Sequence, residues 1–262
     1  MKRPNKALSP FWISVRTFPW CSIKIFDTVD STNNWLKTNG QKHGQVVISR
    51  SQTGGKGTKG RSFFSPDGTG LYFSILFKEG LKKRHLDFLT CAAAVAVAEA
   101  IEIICGVDAK IKWVNDIYVD GKKAGGILTE SQLSPDGKIE YCIVGIGINL
   151  FYPQNSFGEL EDIAGSVLKK GRGFLFNSLT AEIINRLRLY FDDIENPYIL
   201  EIYRQKSCIL NRPILVTTSA DEYVAFAKDI DFDGRLVITD ANGCEQSLYS
   251  ADISVKLKND EA

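Results

Sequence analysis

The chain has 262 residues, of which 44% are hydrophobic, 11% aromatic and 24% charged, and its formal net charge is +1. That make-up describes one or two ordinary globular domains and excludes disordered, collagenous and disulfide-framework classes. With almost no net charge there is no broad field to attract nucleic acid or an anionic membrane, so any cationic chemistry must be local.

Residues 1–21 carry Lys2, Arg3 and Lys6 but no continuous apolar core and no A-x-A-like cleavage site, which speaks against a secretory signal. They are left as a tail without assigned structure. From Ser22 to Phe26 a β-like run leads into Asp30-Ser31-Thr32-Asn33-Asn34, a cluster of N-cap residues ahead of Trp35 and Leu36. This predicts strand, turn and helix start. Strands are also predicted over Gln45–Arg50 and Gly70–Phe77.

Between those two strands lies GGKGTKGR, Gly54 to Arg61, with four glycines and three cations in eight residues. Glycine tolerates positive φ and lets backbone N–H groups come close to an anion, so the loop points to phosphate. It satisfies G-x-G-x-x-G, but no helix opens after it and no Lys-Ser/Thr pair follows its last glycine; it is neither a Rossmann nor a Walker A loop. Taken alone it is equally a solvated basic hairpin loop.

Leu86–Cys105 has helical composition and ends at Gly106, a plausible C′ residue. Lys110–Val119 and Lys123–Gln132 flank the turn dipeptide Asp120-Gly121, and Asp136-Gly137 precedes Ile139–Leu150, so an antiparallel meander is expected. On that hairpin Lys112 should lie opposite Lys122 and Lys123, with Gly125 and Gly126 clearing space beside them. An exposed charged hairpin is the competing reading. Gly145 and Gly147, two apart, would open a slot for a flat ring, although a packed core strand explains them as well.

Residues 151–173 look irregular, and Leu179, Ile183, Ile184, Leu187 and Phe191 predict a helix over Ser178–Ile194. From about Ser207 the pattern changes to short β-runs, Arg212–Thr217, Tyr223–Asp229, Leu236–Thr239 and Ser254–Leu257, enough for a small β-barrel. The expected organisation is therefore an α/β (α+β) body over residues 22–206 and a small β domain over 207–262.

Six cysteines without a C-x-x-C pair read as free thiols of a reducing cytosol. His43 and His85 offer almost no material for a zinc site or a Ser-His-Asp centre, so no protein metal site is expected. No run approaches the ~20 apolar residues of a membrane span, and a soluble, cytoplasmic protein is expected.

In combination, Ser31-Thr32-Asn33, then Gln52 with GGKGTKGRSFFSPDGTGLYFS, then KWVNDIYVDGKKAGGILTE, then GIGINL resemble the bacterial biotin protein ligases, or biotin–[acetyl-CoA-carboxylase] ligases. The likeness is strong over about Ile25–Leu150 and looser over Ser207–Lys256. It implies a mixed-sheet catalytic domain related to class II aminoacyl-tRNA synthetases, followed by an SH3-like barrel. It further implies that biotin and ATP give biotinyl-5′-AMP, with Mg²⁺ bound mainly through phosphates, and that the biotinyl group passes to a lysine of biotin carboxyl carrier protein.

Carried over by residue, the resemblance implies that Ser31, Thr32, Asn33 and Gln52 hold the ureido ring, with Lys56, Gly57, Thr58 and Lys123 completing the biotin site. Lys123, Arg61 and Lys112 would stabilise charge at the reacting phosphate, and Asp116 would attend the incoming carrier lysine. Gly55, Lys56, Gly57, Gly60, Arg61, Asn115, Gly126, Gly145, Gly147, Asn149 and Lys256 would bind ATP and the adenylate.

Several positions depart from the family pattern. In G-R-G-R-x-G-R the first two arginines are Lys56 and Thr58 here, Phe63 stands for the usual tryptophan, and Val114 for the proline of K-W-P-N-D. The loop departures predict weaker retention of the adenylate. Roughly 24 residues precede the catalytic region, too few for a helix-turn-helix module, so no DNA binding is expected. Homodimers are common in the family. The rivals are a lipoate or octanoate ligase of the same fold and a non-catalytic regulator that binds biotin or nucleotide.

Overall fold

The computed structural model describes residues 7–80, 82, 85–153, 156–171, 173–218, 221–249 and 254–257. In chain order these form α1 (Pro10–Ser14), β1 (Ser22–Val29), α2 (Thr32–Asn39), β2 (Gln45–Gln52), β3 (Gly70–Phe77), α3 (Leu86–Cys105) and β4 (Lys110–Lys112). Next come β5 (Asp116–Val119), β6 (Lys122–Leu133), β7 (Ile139–Asn149), α4 (Phe174–Asp192) and α5 (Pro197–Lys206). The last five strands are β8 (Arg212–Thr217), β9 (Glu222–Ile230), β10 (Leu236–Thr239), β11 (Glu245–Leu248) and β12 (Ser254–Leu257).

The first seven strands make one mixed sheet in the order β1-β2-β3-β7-β6-β5-β4, parallel only between β1 and β2. Every residue of β3 is buried, because both faces of the sheet are covered. Alternation along β2 divides the two layers: Val46 and Ile48 join the main core, whereas Val47 packs with Leu36 of α2, Leu76 and Ile143.

The main core lies under α3, whose alanine-rich stretch from Cys91 to Ala98 is almost fully buried and lets the backbone approach its neighbours closely. Phe88–Cys105 is long and apolar enough to cross a membrane, with a mean hydropathy of 2.0, a feature the sequence reading had not anticipated. In this fold 72% of that stretch is buried, packed against α4, α5 and the sheet; it is a core helix. Gly106 caps it in the left-handed region at φ 68°, as expected.

The remaining strands form a second, antiparallel sheet in the order β11-β10-β9-β8-β12. It is fastened to the body by Trp113, whose indole N–H donates to the carbonyl of Gly234 at 2.9 Å. Arg204 of α5 adds donations to Asp229 and to the Ile230 carbonyl.

Five features were not foreseen. The expected strand over Lys110–Val119 is broken by a turn at Trp113-Val114-Asn115, whose Trp113–Val114 peptide bond is cis. The tail contains α1, and two asparagines of α4 secure it. Asn177 accepts from the Ser9 amide and donates to the Ala7 carbonyl, and Asn185 does the same for Phe18 and Arg16. Helix α4 begins at Phe174 rather than Ser178, and α5 and β11 were both missed.

Candidate ligand pocket

On the α2 side of the large sheet a cleft holds about 480 Å³ of empty space, counted out to its open mouth. Its walls come from four separated segments: the start of α2, the end of β2 with the glycine loop, the hairpin β5–β6, and β7. Convergence of distant segments on one concave site is the usual form of a small-molecule pocket.

Polar groups form the floor. Ser31 is the N-cap of α2, and its side-chain oxygen accepts from the Asn34 amide. Thr32 and Asn33 follow on the first turn, both buried. Gln52 Oε1 accepts the Thr32 backbone N–H at 2.9 Å, while Gln52 Nε2 donates to Ser65 Oγ at 2.9 Å. Asn33 donates from Nδ2 to Glu130 Oε2 at 2.8 Å and to the Leu128 carbonyl at 3.4 Å. Its Oδ1 lies 2.5 Å from Ser74 Oγ, which is also 2.6 Å from Thr32 Oγ1. Both ends of the Asn33 amide are thus committed to the protein. The residue organises the floor and also lines the pocket.

Ser74 and Glu130 were not singled out from sequence. A signal for Ser74 did exist: it is the lone polar side chain in GLYFSILF, and a polar group in a fully buried strand needs a partner. Glu130 shares a sheet face with Gly126 and Leu128, two residues apart each time. Burial acts to raise the pKa of Glu130, but hydrogen bonds from Lys37 and Asn33 overcome it and hold the carboxyl below its ordinary value. Lys37 Nζ is 2.5 Å from Glu130 Oε1.

Gly145 and Gly147 do open a slot, but the protein itself fills it. A Cβ at Gly145 would stand 2.2 Å from Asn33 Oδ1, and one at Gly147 would stand 2.6 Å from the Phe63 ring. The glycines are there for the Asn33 amide and the aromatic wall, and both still line the pocket. Gly55 is similarly enclosed, its missing Cβ lying 2.5 Å from the Phe63 carbonyl and 2.6 Å from Ser65 Oγ.

The glycine loop folds back on itself, with an isolated bridge between Lys56 and Ser62 and a donation from the Gly57 amide to the Arg61 carbonyl at 2.7 Å. Lys59 and Gly60 adopt left-handed φ values of 57° and 73°. Lys56, Gly57 and Thr58 line the pocket. The Lys56 ammonium donates to Asn34 Oδ1 at 2.7 Å, and Asn34 Nδ2 donates to Asp30. Arg61 and Gly60 are exposed at the far end of the loop and do not line the pocket.

Across from the loop, Lys123, Asn115 and Gly126 line the other wall. Lys123 Nζ is 2.5 Å from Asp116 Oδ1, and Asn115 Nδ2 donates to the Ile127 carbonyl at 2.8 Å. Lys112 does not oppose Lys122 and Lys123 as expected. The turn at Trp113-Val114-Asn115 inserts β5 between them: Lys112 pairs with Asp116, and Lys123 with Tyr118. Lys112 Nζ donates to the Tyr118 hydroxyl at 3.4 Å and lies over its ring. Asn149 also stands apart, donating to the Gly165 carbonyl at 3.0 Å to hold the segment after β7. Lys256 lies in β12 opposite Leu215; its side chain is outside the described residues.

Chemically, the cleft joins a hydrogen-bonding floor at one end to a lysine and a glycine loop at the other. It offers hydrogen-bonding groups and ammonium charge in the same cleft, which suits a polar, anionic small molecule. Among the described residues no group of three His, Cys, Asp or Glu side chains forms a metal cage.

Comparison with known proteins is consistent with this geometry. Residues 25–149 match the family model for the biotin/lipoate A/B protein ligase family, and residues 209–256 match the biotin protein ligase C-terminal domain. The bifunctional ligase/repressor BirA of Bacillus subtilis is 30% identical over 239 residues, covering 88% of this chain and 72% of the relative. A biotin–[acetyl-CoA-carboxylase] ligase of Paracoccus denitrificans is 29% identical over 218 residues, covering 79% and 88% of the two chains. The fold matches that of the biotin protein ligase from Aquifex aeolicus in complex with biotin and ATP, with a TM-score of 0.73, 24% identity, and coverage of 90% of this chain and 99% of that one.

Proposed function

Because the chain belongs to the biotin protein ligase family, we propose that the cleft between α2 and the glycine loop joins biotin to ATP and passes the biotinyl group to a carrier lysine. A carboxylate oxygen of biotin attacks the α-phosphorus of ATP, the bond to pyrophosphate breaks, and biotinyl-5′-AMP remains. The carrier's lysine nitrogen then attacks the acyl carbon, AMP leaves, and an amide forms with loss of one proton from nitrogen.

One observation carries the reading. The polar floor built by Ser31, Thr32 and Gln52 and the ammonium of Lys123 face the same cleft, so a cyclic urea and a carboxylate can be held at once. The Ser31 oxygen accepts at the helix cap, which leaves its proton to give to the ureido carbonyl. Leaving such groups unpaired costs about 1–3 kcal/mol each, which favours a ring with matching polarity over the apolar dithiolane of lipoate.

Lys123 neutralises charge as the carboxylate meets the phosphate, work that needs fixed positive charge more than a base. Thr58, Gly57 and Lys56 cover the phosphates, and closure of this loop shields the mixed anhydride from water. Arg61, exposed at the end of the loop, reaches the site only when the loop moves. Asp116, now paired with Lys123, is released to the carrier's amine once the ligand carboxylate takes the lysine. No group of three His, Cys, Asp or Glu side chains among the described residues would hold Mg²⁺, so the ion would come with the nucleotide and would supply charge neutralisation at its phosphates.

The deciding assay is incubation with biotin, ATP, Mg²⁺ and a biotin carboxyl carrier domain, using native protein and Lys123→Ala. Labelling by the native protein and its loss in a folded Lys123→Ala variant is expected. Labelling that survives the substitution would remove Lys123 from the chemistry, and a larger thermal shift with lipoate than with biotin would reassign the substrate.

A further inference from the structure

Resting on the reading of the cleft as a biotin-activating site, we infer that Tyr203 of α5 is a positioning residue: its hydroxyl holds the turn at Trp113-Val114-Asn115 and so aims Asn115 and Asp116 at the cleft.

Tyr203 belongs to a short amphipathic helix whose buried face is Ile199, Leu200 and Tyr203, laid against α3 and β4. The residue is fully buried, and a buried phenol needs a partner for its O–H. That partner is the Val114 carbonyl, which accepts from the Tyr203 hydroxyl at 3.1 Å across a separation of 89 residues. The bond reaches the middle of the turn between β4 and β5, where the sheet gives no support of its own: among the described residues the Val114 N–H makes no backbone hydrogen bond.

The two ends of the turn are tied separately. Trp113 donates from its indole to the Gly234 carbonyl at 2.9 Å. Asn115 exchanges two bonds with Ile127 of β6, accepting its N–H at 2.9 Å and donating from Nδ2 to its carbonyl at 2.8 Å. The Tyr203 hydroxyl fixes the carbonyl between them. That carbonyl belongs to the planar Val114–Asn115 peptide, so its direction sets where Asn115, and then Asp116, begin. Asn115 lines the cleft, and Asp116 meets Lys123 there at 2.5 Å. Tyr203 lines no part of the cleft, so it acts through the turn rather than on a ligand.

The test compares native protein with Tyr203→Phe, which removes one oxygen and leaves the packed ring. Hydrogen exchange at the Ile127 amide, which reports the Asn115 tether without any ligand, should quicken by about tenfold, the worth of one net hydrogen bond. Single-turnover transfer from biotinyl-5′-AMP to a carrier lysine should slow by about tenfold. The dissociation constant for biotin should not rise, because the floor of Ser31, Thr32 and Gln52 is untouched. In an Asp116→Asn background the same substitution should slow transfer no further.

Ile127 exchange and transfer that both stay at native rates would overturn the clamp. So would a lower melting temperature with native transfer per folded molecule, or a slowing that simply multiplies with that of Asp116→Asn; either leaves Tyr203 a packing role. Native protein that forms no biotinyl-5′-AMP, with Ile127 exchange still governed by Tyr203, would overturn the reaction assigned to the cleft and leave the clamp standing, so the two failures are told apart.

Discussion

The Lys123 ammonium lies 2.5 Å from the Asp116 carboxylate at the wall of the cleft, and the two side chains are 36% and 25% exposed. A pair this open to water contributes about 0–1 kcal/mol, so a ligand carboxylate can take the lysine at small cost. Lys123→Ala should lower biotin-dependent pyrophosphate release at least about a hundredfold. Its melting temperature should stay within about 5 °C of native. Comparable collapse of both would show the pair to be structural.

Asp116→Asn separates the two halves of the reaction. Without its carboxylate partner Lys123 is freer to meet biotin, so the dissociation constant for biotin should fall several-fold. Transfer from adenylate to carrier lysine should slow if, as proposed, Asp116 attends the incoming amine. Single-turnover kinetics on preformed adenylate resolves the two; unchanged transfer would remove Asp116 from that step.

Two glycines on neighbouring strands should respond differently to alanine. At Gly145 the new methyl would meet Asn33 Oδ1 at 2.2 Å, against an amide locked by Ser74 and Glu130. A destabilisation of about 1–3 kcal/mol and loss of biotin binding are expected. At Gly126 the nearest atoms lie at 3.5 Å or beyond, an ordinary contact, but they belong to Asp116 and Lys123. Gly126→Ala should therefore melt like the native protein and turn over more slowly. Equal stability losses in the two variants would contradict this reading of the cleft.

How much of this was legible in sequence depended on how local the signal was. Strand β3 and helix α3 were bounded correctly because burial of every residue of β3, and alanine density followed by a left-handed glycine in α3, are written within each segment. Ser31 was recognisable as an N-cap for the same reason. Lys112 was misplaced because the break at Trp113-Val114-Asn115 moves it one strand away from Lys123, and register across three strands is not a property of any one of them. The Gly145–Gly147 slot was visible, but what fills it, the Asn33 amide and the Phe63 ring, depends on segments more than a hundred and about eighty residues away. Helix α5 escaped because PYILEIYRQK is short and its packing partner α3 is distant in sequence.

Thr58 lines the cleft where the related motif carries arginine, and the Lys56 ammonium is drawn back to Asn34. On the proposed reading of the cleft, an adenylate would meet a neutral hydroxyl there in place of a charge-assisted, bidentate contact. Thr58→Arg should slow dissociation of biotinyl-5′-AMP by about tenfold, measured by chasing preloaded enzyme with excess biotin. Equal rates for the variant and the native protein would count against loss of retention at this position.

The Glu130 carboxyl gives the polar floor a pH dependence of known sign. Burial pushes its pKa up, and the hydrogen bonds and charge of Lys37, the Asn33 amide and the charge of Lys56 more than reverse that, so the pKa lies below the ordinary carboxylate value. An acid that is stronger in the folded than in the unfolded chain contributes stability above its unfolded value, and that contribution disappears as pH falls through the folded one. The native protein should thus lose melting temperature below about pH 5 more steeply than Glu130→Gln, which has no proton to take up there. Near neutral pH the order is set by charge, and Glu130→Gln melts lower because Lys37 has lost its partner. Profiles that stay parallel from pH 7 to the acid limit would mean that Glu130 is not held ionised by Lys37, and the orientation of Asn33 would then lack its anchor.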